Sequence, residues 1–62
     1  MDYEALDEIH DEINYLKYKI EELSFQDELN QIGVHDFILK AAENFREANK
    51  LVEKKLKELE EE

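Results

Sequence analysis

Six apolar residues in the first part of the chain recur at alternating steps of three and four: Leu6, Ile9, Ile13, Leu16, Ile20 and Leu23. This spacing keeps one side of an α-helix apolar along its whole length, and such a side is stable in water only when another surface covers it. The feature therefore predicts that the chain folds by packing helix against helix.

A second periodic segment follows in the other half of the chain. We predict one helix from Tyr3 to Leu23, with Asp2 as its N-cap, and another from Asp36 to Glu60. Gly33 is the only glycine and can adopt the left-handed conformation that often follows a helix end, which leaves His35 or Asp36 to cap the second helix. The apolar set of the second helix comprises Ile38, Ala41, Ala42, Phe45, Ala48, Val52, Leu56 and Leu59.

The two helices are expected to form an antiparallel hairpin, because 62 residues leave no room for the long crossover that a parallel pair needs. A turn centred near Val34 brings Leu23 level with Phe45, so the apolar sets meet in register. The sequence thus predicts an all-α fold in which residues 1 to 62 form one domain. The predicted intrachain seam comprises Leu6, Ile9, Ile13, Leu16, Ile20, Leu23, Ile38, Phe45, Val52, Leu56 and Leu59.

Residues 24 to 32 have two interpretations, because the heptad pattern turns polar at Asp27 and Asn30. In one, Ser24 caps a short extra helix, near residues 25 to 32, that folds Phe25, Leu29 and Ile32 under the hairpin. In the other, the first helix continues unbroken to Ile32 and carries a second apolar stripe. The absence of Gly and Pro from this segment favours the unbroken helix. The second stripe comprises Tyr15, Tyr18, Phe25, Leu29 and Ile32.

Two helices alone cannot enclose a core, since each apolar stripe is covered on one side only. Pairing of two hairpins into a four-helix bundle covers the remainder, so we expect a homodimer. The expected interface, with a second copy or with another protein, is the second stripe from Tyr15 to Ile32. Asn49 falls within the stripe of the second helix, where it either sets the packing register or lies at the wet edge.

Cysteine is absent, so a chain of 62 residues must gain its stability from helix packing or oligomerisation rather than from disulfides or thiolate metal sites. No stretch approaches the roughly 20 apolar residues of a membrane span. The acidic start from Met1 to Glu4 is unlike a signal peptide. We expect a cytoplasmic protein that does not enter a membrane.

The net charge of −10 is unevenly distributed: residues 1 to 33 carry ten acids and two bases, and residues 34 to 62 carry eight acids and six bases. Such a surface repels phosphate backbones and anionic lipids. We therefore expect no nucleic-acid partner, and a basic protein is the favoured class of partner. The predicted register places Asp7, Asp11 and Glu12 beside Lys54, Lys55 and Lys57.

Catalytic chemistry is not indicated. Ser24 is the only serine, no cysteine is present, and one glycine cannot build a phosphate-binding loop. Asp7 and His10 have the three-residue spacing of carboxylate-bridged di-metal bundles, but His10 lies about 80° from the heptad seam. Acids of the second helix, including Glu53, fall outside its apolar stripe. The sequence predicts no enzyme activity, no cofactor and no metal ligand.

The plan of one antiparallel helical hairpin of 62 residues resembles the Rop family of plasmid copy-number proteins. That resemblance implies RNA binding through a basic, aromatic-bearing helix face, from which the acidic first helix departs. The segment from Val34 to Ala42 resembles a helix start of dihydrolipoamide acyltransferase catalytic domains but lacks the catalytic histidine motif of that family. Neither resemblance assigns a functional residue to this chain.

Two functional hypotheses of different classes follow. One is a non-enzymatic interaction protein, a small homodimeric bundle that serves as an adaptor, a regulator or an assembly subunit. The other is an acidic inhibitor or antitoxin-like protein that occupies a basic, nucleic-acid-binding surface of a target. Its phosphate mimics would be Asp2, Glu4, Asp7, Glu8, Asp11 and Glu12.

Overall fold

The computed structural model describes residues 1–61, which contain three α-helices. These are α1 (Tyr3–Leu23), α2 (Asp27–Gln31) and α3 (His35–Glu61). The long helices α1 and α3 pack against each other along a molecule of 49 × 14 × 13 Å. The prediction of an all-helical hairpin is confirmed for these residues. None of the described helices is both long and apolar enough to cross a lipid bilayer.

The start of α1 follows from local chemistry. A carboxylate oxygen of Asp2 accepts a hydrogen bond from the backbone N–H of Glu4 at 3.1 Å. This contact satisfies one of the amide groups that have no partner within the first turn of a helix. The predicted cap at Asp2 is confirmed.

The end of α1 differs from the sequence expectation, and the unbroken helix to Ile32 is wrong. The hydroxyl of Ser24 donates to the carbonyl of Glu21 at 2.6 Å, and the N–H of Phe25 bonds to the carbonyl three residues before it. The last turn is thereby tightened and the helix stops.

A contact from the second long helix, α3, stabilises the end of α1. In a continuing helix the carbonyl of Ser24 would accept from the backbone N–H of Glu28. Here that carbonyl oxygen lies 2.8 Å from Nε2 of His35, the first residue of α3. The imidazole therefore does not cap its own helix, as the sequence suggested, and instead ties the start of α3 to the end of α1.

The short helix α2 is the extra helix of the alternative interpretation. Its N-cap residue is Gln26, whose side chain makes no capping hydrogen bond, so Ser24 closes α1 and does not open α2. The predicted left-handed residue is Gly33, with φ of 79°. The N–H of Val34 bonds to the carbonyl of Leu29 at 3.0 Å and the N–H of Gly33 bonds to that of Asn30 at 3.2 Å. This pair of bonds is a Schellman motif.

The connection shifts the register of the hairpin. A turn centred near Val34 would place His10 level with Glu58. His10 instead contacts Glu53 and Tyr3 contacts Glu60, so both pairs are centred between Gln31 and Ile32, and the partner of His10 lies more than one helical turn from the expected position.

Little of the hairpin is closed off from solvent. Among residues 1–61, only Ala42, Asn49 and Leu56 are buried, and α1 has no buried residue. These three lie seven residues apart on α3 and form the line along which it packs on α1. Asn49 is 5% exposed, and its Oδ1 has no hydrogen-bond partner among the described residues. Asn49 therefore lies inside the packing seam and not at a wet edge.

Candidate functional site

The two sides of the hairpin can be distinguished from helical spacing. One helical turn contains about 3.6 residues. A residue three positions after a given residue therefore lies to one side of it on the helix surface, and a residue four positions after it lies to the other side. On α3, three-residue steps from the buried line reach Phe45, Val52 and Leu59, and four-residue steps reach Arg46, Glu53 and Glu60. On α1, three-residue steps from the half-buried Leu6, Ile13 and Ile20 reach Ile9, Leu16 and Leu23, and four-residue steps reach His10, Lys17 and Ser24.

Three polar contacts join the helices along one side. The hydroxyl of Tyr3 donates to Oε1 of Glu60 at 2.8 Å, and Nε2 of His10 lies 3.0 Å from Oε1 of Glu53. Nearer the turn, a guanidinium nitrogen of Arg46 donates to Oε1 of Glu21 at 3.0 Å. We call this side the bonded face; it comprises Tyr3, His10, Glu21, Arg46, Glu53 and Glu60.

The opposite side of the hairpin is apolar. Because the four-residue rows of both helices meet on the bonded face, the three-residue rows share the other side. We call it the open face; it comprises Ile9, Leu16, Leu23, Phe45, Val52 and, bordering them three residues after Phe45, Ala48. Ile9, Leu16 and Leu23 are 48%, 41% and 47% exposed, whereas Phe45 and Val52 are half-buried. The open face is the principal candidate for a functional surface.

The structure divides the predicted intrachain seam into two groups. Leu6, Ile13 and Ile20 of α1 are half-buried against α3, where Ile38, Phe45, Val52 and Leu59 are half-buried and Leu56 is buried. Ile9, Leu16 and Leu23 lie instead on the open face. The heptad pattern identified the apolar stripe, but α3 covers only one flank of it and leaves the other flank exposed.

The predicted second stripe does not form one helix face, because α1 ends at Leu23. Tyr15 and Tyr18 lie on α1 away from α3, exposed, with Nζ of Lys19 and of Lys17 at 5.7 Å and 4.6 Å from the respective ring centroids. Such cation–π contacts are compatible with a solvated surface. Phe25 and Ile32 are exposed at the turn, and Leu29 is half-buried.

The bonded face holds the one group of potential metal ligands found in residues 1–61. One ligand atom from each of Asp7, His10 and Asp11 lies within 4.8 Å of the others. Nδ1 of His10 is 3.7 Å from Asp11, and Glu53 contacts the other ring nitrogen. The sequence placed Glu53 away from this histidine, and the shifted register is what brings them together.

The same contacts favour the protonated form of His10. Its hydrogen bond to Glu53 is the main cause that raises the pKa of the imidazole above its usual value of 6.5; desolvation opposes the rise, and Asp11 contributes to it. Tyr3 also has a raised pKa, chiefly because its hydroxyl donates to the carboxylate of Glu60. Both shifts are consequences of polar contacts between the helices.

An open depression of about 410 Å³ lies beside the turn, lined by Glu21, Ser24, Phe25, Leu39, Ala42, Glu43 and Arg46. The Arg46 and Glu21 side chains that border it are already engaged with each other. Nothing in this lining brings convergent polar groups to an apolar cleft, which is the usual form of a small-molecule site.

Comparison with known proteins adds no assignment: no protein-family model, no curated protein and no solved structure matches the chain.

Proposed function

We propose that this chain is a non-enzymatic interaction protein that works as a homodimeric helical bundle, in the role of an adaptor, a regulator or an assembly subunit. The observation that carries the proposal is the incomplete core of the single hairpin. Only Ala42 and Leu56 are buried apolar residues among residues 1–61, while a row of large aliphatic side chains remains open. A second hairpin supplies the cover that one chain lacks.

The accessible surface supports pairing. The chain exposes 5043 Å². A monomer of 7.5 kDa typically exposes about 4,200 Å². The excess, roughly 800 Å², reflects the elongated shape of a single hairpin of 49 × 14 × 13 Å, which leaves much of its apolar surface uncovered.

The polar side chains support a binding role over a catalytic one. The hydroxyl of Ser24 donates to a backbone carbonyl, and the imidazoles of His10 and His35 are both engaged in contacts between helices. These groups stabilise the hairpin, so mutating them is expected to affect folding rather than any chemical step.

Sedimentation equilibrium and thermal unfolding test the proposal. A dimer gives a mass near twice 7.5 kDa and a thermal midpoint that rises with protein concentration, because association stabilises the folded state by mass action. A monomeric mass at millimolar concentration, with a midpoint independent of concentration, would overturn it.

A second candidate is an acidic inhibitor of a basic, nucleic-acid-binding protein. The observation that favours it is that the acidic start of α1 is not neutralised by the lysines of α3. The sequence expected Lys54, Lys55 and Lys57 to neutralise it, but Lys55 pairs with Glu58 of its own helix at 3.6 Å. In the described chain, no ion pair joins these lysines to α1.

Salt separates the two candidates. Binding of an acidic inhibitor to a purified basic protein, measured by calorimetry, should weaken steeply between 50 and 500 mM salt, whereas apolar self-association should be nearly unaffected. A variant with Glu4 and Glu8 changed to Gln keeps the open face and removes two of the charges. Unchanged target binding by this double variant would contradict the inhibitor role.

A further inference from the structure

We infer that the open face binds the open face of a second copy around a two-fold axis perpendicular to the helices, with α1 against α1 and the two turns at opposite ends. The inference rests on the proposed homodimer and names its surface and symmetry. It differs from the interface predicted from the sequence, which placed Tyr15 and Tyr18 at the contact.

The two-fold axis is positioned by two residues, one on each long helix, that lie at about the same height along the hairpin. Leu16 lies on α1 between the His10–Glu53 and Glu21–Arg46 contacts, and Ala48 lies on α3 between the same two contacts. Leu16 and Ala48 are therefore at about the same height along the hairpin. One perpendicular axis can pass close to both.

The spacing of apolar residues is symmetric about that level. Ile9 and Leu23 each lie seven residues from Leu16, so the axis places Ile9 of one copy against Leu23 of the other and sets Leu16 against Leu16. On α3, Phe45 and Val52 lie three and four residues from Ala48, and they exchange in the same way. Such self-complementarity is what an isologous interface requires.

Small side chains and charge agree with this arrangement. Ala48 at the centre of α3 lets two α3 helices approach closely, since the distance between helix axes depends on the side chains at the contact. On the outer edge of the α1 row, Glu12 and Lys19 lie four residues before and three after Leu16, both exposed. The axis brings Glu12 of each copy towards Lys19 of the other, so opposite charges meet at the rim.

The occupant is a second copy because the apolar spacing and the rim charges of the open face are complementary to themselves about the level of Leu16. The bonded face is less suited to an apolar contact, since its polar side chains are engaged with one another in the contacts from Tyr3 to Arg46. The aromatic rings of Tyr15 and Tyr18 lie on the far side of α1 from α3, where they add nothing to the incomplete core.

Single-cysteine cross-linking tests the surface, because the chain has no cysteine of its own. Under mild oxidation, Leu16→Cys should form a covalent dimer in most of the sample, and Tyr18→Cys, on the same helix, should remain uncross-linked. A mixture of Glu12→Cys and Lys19→Cys should give mainly the mixed disulfide, detected by mass spectrometry. These two positions are exposed, so the substitutions leave the folding of the hairpin intact.

The outcomes separate this inference from the proposed function. A monomeric mass for the wild-type chain overturns both. A dimeric mass with cross-linking at Tyr18→Cys and none at Leu16→Cys keeps the homodimer and overturns the open face. A Leu16→Cys cross-link that appears only in a mixture with Ala48→Cys overturns the two-fold arrangement, because α1 would then lie against α3 of the second copy.

Discussion

Nε2 of His10 on α1 lies 3.0 Å from Oε1 of Glu53 on α3, and this contact joins the two long helices near the middle of the bonded face. The hydrogen bond to Glu53 is the main cause that raises the pKa of His10 above 6.5. A raised pKa in the folded state means that folding favours the protonated imidazole. The contribution of the pair to stability is therefore full below about pH 6.5 and is lost as the pH rises through the folded-state pKa.

The Glu53→Gln variant should show this dependence. We expect it to lower the free energy of unfolding by about 0.5 kcal/mol at pH 5.5, as partly exposed ion pairs do, and by much less at pH 9. Glu47→Gln is the matched control, because among the described residues the carboxylate of Glu47 forms an ion pair only with Lys50 of its own helix. Thermal unfolding followed by circular dichroism measures both. Equal losses for the two variants at pH 5.5 would show that the His10 contact does not stabilise the hairpin.

Asn49 should be a position where the natural residue reduces stability. Its Oδ1 is buried without a partner in the described chain, and a buried polar atom in that state costs about 1 to 3 kcal/mol. Asn49→Leu is expected to raise the midpoint of urea unfolding, with a gain of about 1 to 2 kcal/mol. Asn44→Leu on the same helix, at an exposed position, should change stability by less than about 0.5 kcal/mol. Destabilisation by Asn49→Leu would mean that the amide has a partner in solution.

The buried line of α3 should carry more of the stability than its exposed apolar residues. Leu56 is 8% exposed and Leu51 is 70% exposed, on one helix and with the same side chain. Leu56→Ala should cost about 2 to 4 kcal/mol, because it leaves a cavity in the seam. Leu51→Ala should cost less than about 0.5 kcal/mol, as surface substitutions usually do. Urea titrations of the two variants give the comparison, and similar midpoints would contradict the described packing direction of α3.

The start of α1, the extent of the second long helix and the hairpin could be predicted because they rest on local chemistry. Asp2 caps α1 through its own carboxylate, and the apolar period of each long helix is visible in the sequence. The side of the apolar stripe that packs could not be predicted. The apolar stripe of α1 has two rows, and the sequence placed both of them against α3. In the structure α3 lies over the Leu6 row and the polar row of His10 and leaves the Ile9 row exposed. The contact between His10 and Glu53 fixes this side, and periodicity alone does not show such a contact.

The end of α1 was missed for a related reason. Residues 24 to 32 contain neither Gly nor Pro, and a helix without either has no strong local stop signal. Two contacts end the helix. The hydroxyl of Ser24 donates to the carbonyl of Glu21, and the imidazole of His35 contacts the carbonyl oxygen of Ser24. The second of these partners belongs to another helix. The polar residues Asp27 and Asn30 at the next heptad positions were the available signal that the packed helix had ended.

At Gly33 the cost of a substitution can be divided into a part from backbone conformation and a part from steric clash. Its φ is 79°, and a Cβ built on it would meet no heavy atom within 4 Å, so substitution is penalised by the left-handed conformation and not by a clash. Gly33→Ala should cost about 1 to 2 kcal/mol for this reason. Gly33→Asn should cost less, because asparagine tolerates that region better than alanine. A synthetic chain with D-alanine at position 33 should be at least as stable as the natural one, since positive φ suits a D-residue and the site has room. Thermal midpoints of the three chains, measured at one protein concentration, should rank D-alanine highest and L-alanine lowest. An equal loss for both alanine enantiomers would mean that the space around Gly33 is occupied in solution.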